Sequence, residues 1–148
     1  MADYYIKYID GPRGQEGYPF GDGLVHFAED QEKRCEDFKT CTGFLLYETE
    51  GRGKGGNGAK SIFAYGIIDS DQSSYVKLIE RDGKKFPYAA KVLLQKRIDP
   101  KVGIQLKKTE EIIEKKIRRA QGGLLTITED QFNMLCAELD KKSQNLPN

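Results

Sequence analysis

A chain of 148 residues and 16.8 kDa is the size of one domain and long enough to bury a core without disulfide or metal staples. With 38% hydrophobic and 32% charged residues it reads as folded with a wet surface, and no apolar run approaches the ~18 residues of a membrane span. The start, MADYYIKYID, lacks the basic and apolar parts of a signal peptide, and three cysteines without a CxxC fit reduced thiols in a cytoplasm, so membrane insertion and secretion are not expected.

The net charge of +1 conceals an uneven distribution. Residues 1–50 hold five Lys/Arg against eleven Asp/Glu, whereas residues 51–119 hold seventeen against eight. If the second block forms one face, that face suits a polyanion; if it is scattered, the charge only solubilises.

In chain order, Tyr4–Ile9 is aromatic and β-branched and predicts a strand. A Gly/Pro loop from Gly11 to Gly23 follows, then a short apolar piece, Leu24–Phe27, and a polar helix or ordered loop over Glu29–Lys39. Gly43–Glu48 predicts a second strand. Ser61–Asp69 predicts another, with Ile62, Ala64, Gly66 and Ile68 on one face and Phe63, Tyr65 and Ile67 on the other. Tyr75–Glu80 and Phe86–Ile98 flank Arg81-Asp82-Gly83-Lys84, whose Asp-Gly pair signals a hairpin.

Beyond Asp99-Pro100 a short strand is expected at Gly103–Leu106. A helix is expected over Glu110–Arg119, with Ile112, Ile113 and Ile117 inward and Gly122-Gly123 as its stop. Leu124–Ile127 then leads into a last helix. Thr128 and Gln131 form a capping box there, and Phe132, Leu135, Cys136 and Leu139 recur at helical spacing. The domain spans 1–141 and the tail 142–148 reads as frayed. Strands first and helices mostly after them predict an α+β fold with a largely antiparallel, barrel-like sheet.

The stretch Gly51–Ser61 resembles a phosphate-binding loop only superficially. Gly53 and Gly58 have Walker A spacing, but Ala59 precedes Lys60-Ser61, and a strand follows where that motif needs a helix. It reads as a strand connection, or as a basic flap in which Arg52, Lys54 and Lys60 reach phosphates. Lys84 and Lys85, beside the Asp-Gly turn, are further phosphate candidates.

Cys35 and Cys41 lie in a C-x₅-C spacing with His26 as the one histidine, too few ligands for structural zinc. These two cysteines read as half-buried thiols, Cys136 as core and His26 as a semi-buried structural residue. Glu48 and Glu50 share a strand face, where they read as solvated edge charges. Fifteen Phe and Tyr mixed with basic residues remain, the composition that stacks bases and holds phosphates. Tyr47 and Tyr65, on the strands flanking the glycine loop, sandwich a base in one hairpin register and are core in the other reading.

The order Tyr5-Ile6-Lys7, long loop, Gly43-Phe44-Leu45-Leu46-Tyr47, then Ala64-Tyr65-Gly66-Ile67-Ile68-Asp69 resembles the EVE and YTH group of PUA-like domains. The spacing from Gly66 to Ser70 is similar to a G-x-x-x-S strand ending of that group, and Gly123–Phe132 to its glycine-led entry into a final I-T-x-x-x-F helix. The tryptophans common in EVE and YTH base pockets are absent.

The resemblance implies a PUA-like pseudo-barrel of five or six mostly antiparallel strands flanked by two or three helices. It also implies a cavity beside the first strand that holds a base, often a modified one. Lys7, Tyr8 and Asp10 would then lie near the cavity, with Tyr47 and Tyr65 as walls. The resulting expectation is a non-enzymatic DNA- or RNA-binding domain without cofactor or metal. Two readings of other classes stay open. One is a protein-interaction module docking a partner through its acidic first third; the other is a small enzyme using Glu48 or Asp10 as acid or base.

Overall fold

A computed structural model describes residues 3–12, 18–19, 23–51, 57–72, 79–81, 84–118 and 123–145. The main sheet has the order β2-β7-β4-β3-β1-β9, built from β1 (Tyr4–Ile9), β2 (Leu24–Phe27), β3 (Gly43–Glu48), β4 (Ser61–Ile68), β7 (Tyr88–Arg97) and β9 (Leu124–Thr126). A two-residue strand, β8 (Ile104–Gln105), shares the outer edge of β4 with β7. The sheet curls into a half-barrel of PUA-like form, α+β in class. β5 (Ile79–Arg81) and β6 (Lys84–Phe86) form a separate hairpin, with Arg81 paired to Lys84. The Asp82-Gly83 turn between them falls outside the described residues, as do 73–78 of the expected Tyr75–Glu80 strand.

Only β1 and β3 pair in parallel, from Tyr4↔Gly43 to Ile9↔Glu48; the other pairs described are antiparallel. A parallel neighbour cannot be reached by a tight turn, so the chain crosses over through β2 and the helix α1 (Glu32–Lys39). Strand periodicity then divides the apolar side chains between two cores. Tyr5 and Ile9 join Phe44, Leu46, Phe63, Val25, Phe27, Cys35 and Phe38 on the α1 side. Ile6 and Tyr8 join Leu45, Tyr47, Ile62, Ile104, Ile113, Leu135 and Leu139 under α2 (Leu106–Ile113) and α3 (Glu129–Gln144).

Several elements differ from expectation for identifiable reasons. Register shifts at Leu46/Tyr47 and Tyr65/Gly66 break simple alternation along β4, so Phe63 and Ala64 both enter the first core. Pro87 separates β6 from β7 where the sequence predicts one strand. The helix expected at Glu110–Arg119 begins at Leu106 and ends at Ile113, because Glu114 turns left-handed at φ 57° and closes it onto Glu110 O. Ile113 is buried, and Ile112 and Ile117 pack partly buried against the second core. Helix α3 begins as expected: Thr128 Oγ1 accepts from Gln131 N at 3.1 Å, and Gln131 Oε1 accepts from Thr128 N at 2.9 Å. It continues past Lys142 to Gln144, with Lys141 and Lys142 favourably placed in its last turn.

Gly103 lies flush against β4, and a methyl group there would overlap the Ile62 carbonyl oxygen. Because that neighbour is backbone, Gly103→Ala is expected to cost about 1–3 kcal/mol as the strand gives way. Thr128→Ala, which removes only the helix cap, is expected to cost about 1 kcal/mol. Urea unfolding of both variants measures these losses.

Candidate nucleic-acid interface

Lys7 points into the first core from the middle of β1 and is 6% exposed. Its Nζ donates to Tyr8 O at 3.1 Å and stands 4.5 Å from the Phe27 ring centroid. A buried ammonium is costly unless it is paired, and a desolvated ring face contributes about 2 kcal/mol towards holding it. Gly123, at φ +77°, passes close by: a methyl group on it would stand 3.8 Å from Lys7 Nζ and 3.6 Å from Gln31 Nε2. Gln31 itself accepts from Ala28 N through Oε1 at 3.1 Å. Phe27 pairs with Tyr88 across β2 and β7, and the charge of Glu32 beside the partly exposed Tyr88 raises its phenol pKa. An ammonium, an amide, a backbone turn and an aromatic rim therefore converge on one face.

The five base-pocket candidates do not all meet there. Tyr8 and Tyr47 lie on the opposite face with ring centroids 5.7 Å apart, at 9% and 3% exposure. Burial pushes the Tyr47 phenol up to about 12 and Tyr8 further in the same direction. Tyr65 packs against the same core, and its hydroxyl donates to Asp140 Oδ1 of α3 at 2.8 Å. Asp10 is exposed just past β1, where its Oδ1 accepts from Thr49 Oγ1 at 3.4 Å. Phe27, and Gln31 across Gly123, are the neighbours that sequence reasoning did not connect with Lys7.

Of the phosphate candidates, Arg52 and Lys54 lie outside the described residues. Lys60 is exposed at the entry to β4 with φ 53°, and Lys85 is exposed in β6 next to Lys84. β4 begins at Ser61 as a strand, so no helix N-terminus follows the glycines.

Glu48 corrects the expectation of a solvated edge charge, because it is wholly buried and accepts from Ala59 N at 2.8 Å. Glu50 lies beyond the strand and is exposed. Cys35 and Cys41 are buried more fully than expected, at 1% and 8% exposure, with thiols pushed up to about 11 and about 12 by burial. His26 is also buried, and its Nδ1 lies 3.2 Å from the Tyr18 hydroxyl. Among the described residues no group of His, Cys, Asp and Glu is arranged to hold a metal. An open cleft of about 360 Å³ at the end of α2 is lined by Lys107, Lys115, Lys116, Glu110, Glu111 and Glu114, a balanced set that selects neither sign of charge.

No family model and no curated protein matches the sequence. Among solved structures, the Mmi1 YTH domain aligns with a TM-score of 0.60 over 97% of this chain and 78% of that one, at 12% identity. The Mmi1 YTH domain in complex with RNA aligns with a TM-score of 0.60 over 95% and 79%, at 13% identity. The N-terminal domain of Staphylothermus marinus McrB gives 0.54 over 93% and 94%, at 10% identity. At these identities the likeness is one of fold, and the chain has the YTH/PUA-like fold.

The buried acids set an alkaline limit. Tyr8, Tyr47, Cys35 and Cys41 have folded-state pKa values raised above their unfolded ones, so the folded state holds their protons longer. Their contribution to stability is whole below the unfolded values, about 9 for thiols and 10 for phenols, and is lost as pH rises through the folded ones. Melting temperature is expected to fall from about pH 9 upward, and Tyr47→Phe to flatten the part above pH 10. A melting temperature independent of pH across that window would show these groups to be solvated.

Proposed function

We propose that this chain is an RNA-binding domain that holds one base of a single strand against the Lys7 side of β1. The observation that carries the reading is the fold shared over 95% of the chain with a YTH domain solved in complex with RNA. The local chemistry supports it. An unstacked base needs a π-face and polar groups for its edge. Tyr88 supplies a partly exposed ring, and Lys7 and Gln31, which both reach Gly123, supply donors. A base carrying an added apolar group gains further from the partly exposed Tyr88 ring, which favours a modified base over a plain one. The chemistry required is binding alone, and no catalytic group is part of the proposal.

Fluorescence anisotropy with plain and base-modified single-stranded RNA at two salt concentrations tests this. Tyr88→Leu keeps apolar bulk but removes the stacking face, and affinity is expected to fall by about 1–3 kcal/mol. Lys7→Met, which removes a charged donor, is expected to weaken binding roughly tenfold or more. Absence of affinity for any RNA at low salt overturns the reading, and equal affinity for plain and modified RNA removes the modified base from it. The same oligonucleotides made as DNA measure the contribution of the 2′-hydroxyl.

A further inference from the structure

The two-residue strand β8 draws three separate stretches of chain to the start of β4. Ser61 pairs with Gln105 and Ile62 with Ile104, while Ser61 Oγ donates to Pro100 O and Gly103 closes against Ile62. Each stretch presents lysine to solvent: Lys60 before Ser61, Lys101 after Pro100, and Lys107 and Lys108 in the first turn of α2 just past Gln105. From Cα spacings of 3.8 Å along a chain and about 4.5–5.5 Å across a pair, all four backbones stand within roughly 17 Å of Ser61.

Like Lys85, Lys91 and Lys142, these four lysines have no ion pair among the described residues, and what sets them apart is that β8 gathers them. Lys33, Lys39, Lys96, Lys116 and Lys141 each have a carboxylate within 4.0 Å. Lys60, Lys101, Lys107 and Lys108 have none among the described residues. Asp99, the acid nearest Lys101 in sequence, turns its Oδ1 to the backbone of Lys101 at 2.9 Å, while Glu110 and Glu111 follow Lys107 and Lys108 by about one helical turn and line a cleft with Lys107. Lys60 also occupies a left-handed conformation at φ 53°, a strained position for a side-chain-bearing residue. Trp, Tyr and Arg, the usual anchors of protein interfaces, are missing from these lysine-bearing segments, where Val102 is the exposed apolar residue.

We infer that this lysine ridge carries the phosphodiester backbone of the bound RNA, a surface separate from the base site around Lys7. The inference rests on the RNA-binding reading and extends it to where the strand runs. Four compact ammonium groups on flexible stems reach phosphates without reading base edges.

The test compares wild type with the combined variant Lys60→Gln, Lys101→Gln, Lys107→Gln and Lys108→Gln, using a single-stranded RNA at 50, 100 and 200 mM salt. Every phosphate that is no longer neutralised lowers the slope of log K against log salt by about 0.7, so the slope is expected to fall by about 2–3. The preference between plain and modified RNA stays unchanged. Replacing the same four residues with Arg retains the slope, and Lys33→Gln with Lys141→Gln leaves it untouched, which separates site from total charge. All four positions are exposed, and a thermal melt verifies folding. A wild type that binds RNA while the Gln variant keeps its slope overturns the ridge but leaves the RNA-binding reading intact. A wild type without RNA affinity overturns both. Loss of polyglutamate binding with an unchanged RNA slope reassigns the ridge to an acidic protein.

Discussion

The register of β1 is the constraint on which the rest of the structure depends. This strand is clamped between β3 in parallel and β9 in antiparallel, and its alternate residues belong to two different cores. A slip of one residue would exchange the faces, sending Lys7 under α2 and α3 and withdrawing Ile6 and Tyr8 from that core. The penalty for an unpaired ammonium there makes the correct register the one in which Lys7 meets the Tyr8 carbonyl and the Phe27 ring. Parallel pairing with β3 also brings β2 and α1 across the sheet by crossover, which is how Phe27 and Gln31 come to lie near Lys7, a side chain some twenty residues earlier. One requirement thus sets the topology and assembles the proposed base site.

A second constraint acts at the end of the same strands. Gly11, Gly51 and Gly58 approach one another and the Thr49 carbonyl so closely that a methyl group on any of them would overlap backbone. Gly51 has φ +90°, and Gly58 N donates to Glu50 O at 2.9 Å. Glu48, wholly buried beside them, holds Ala59 N. The flanks of the glycine-rich segment are therefore fastened to the sheet, and its glycines there serve close backbone packing. That fastening fixes the point at which Lys60 emerges.

The sequence made legible those features that depend on local chemistry. The capping box of Thr128 and Gln131, the Asp-Gly hairpin signal and the aromatic and β-branched composition of β1 each determine structure within a few residues. The bulges at Leu46/Tyr47 and Tyr65/Gly66 were not legible, because they answer to the shapes of two cores and not to neighbours in the chain. Helix α2 starts earlier than its acidic turn suggested, since β8 fixes the chain at Gln105 and Leu106 must follow as helix. One failure lay within reach. Lys7 and Tyr8 are adjacent on a strand, so period-two alternation already places them on opposite faces. Grouping both with Tyr47 and Tyr65 around one cavity set family likeness above that geometry.

The charge blocks of the sequence become surface character only through what each carboxylate is doing. In the acidic first third, Lys33 and Lys39 sit beside Asp37 and Glu36 on α1, exposed pairs that contribute little to stability but neutralise one another. In the basic middle, three of the acids are engaged with backbone. Asp69 Oδ1 accepts from Asp71 N, Asp99 Oδ1 from Lys101 N, and Glu110 Oε2 from Ile117 N. Asp69 and Asp99 are held at their turns by those bonds, whereas Glu110 also stands 3.7 Å from Lys116 Nζ through its other oxygen. It is topology, acting on an ordinary composition, that gathers Lys60, Lys101, Lys107 and Lys108 of this segment around β8, with Glu110 and Glu111 about a helical turn beyond the last two.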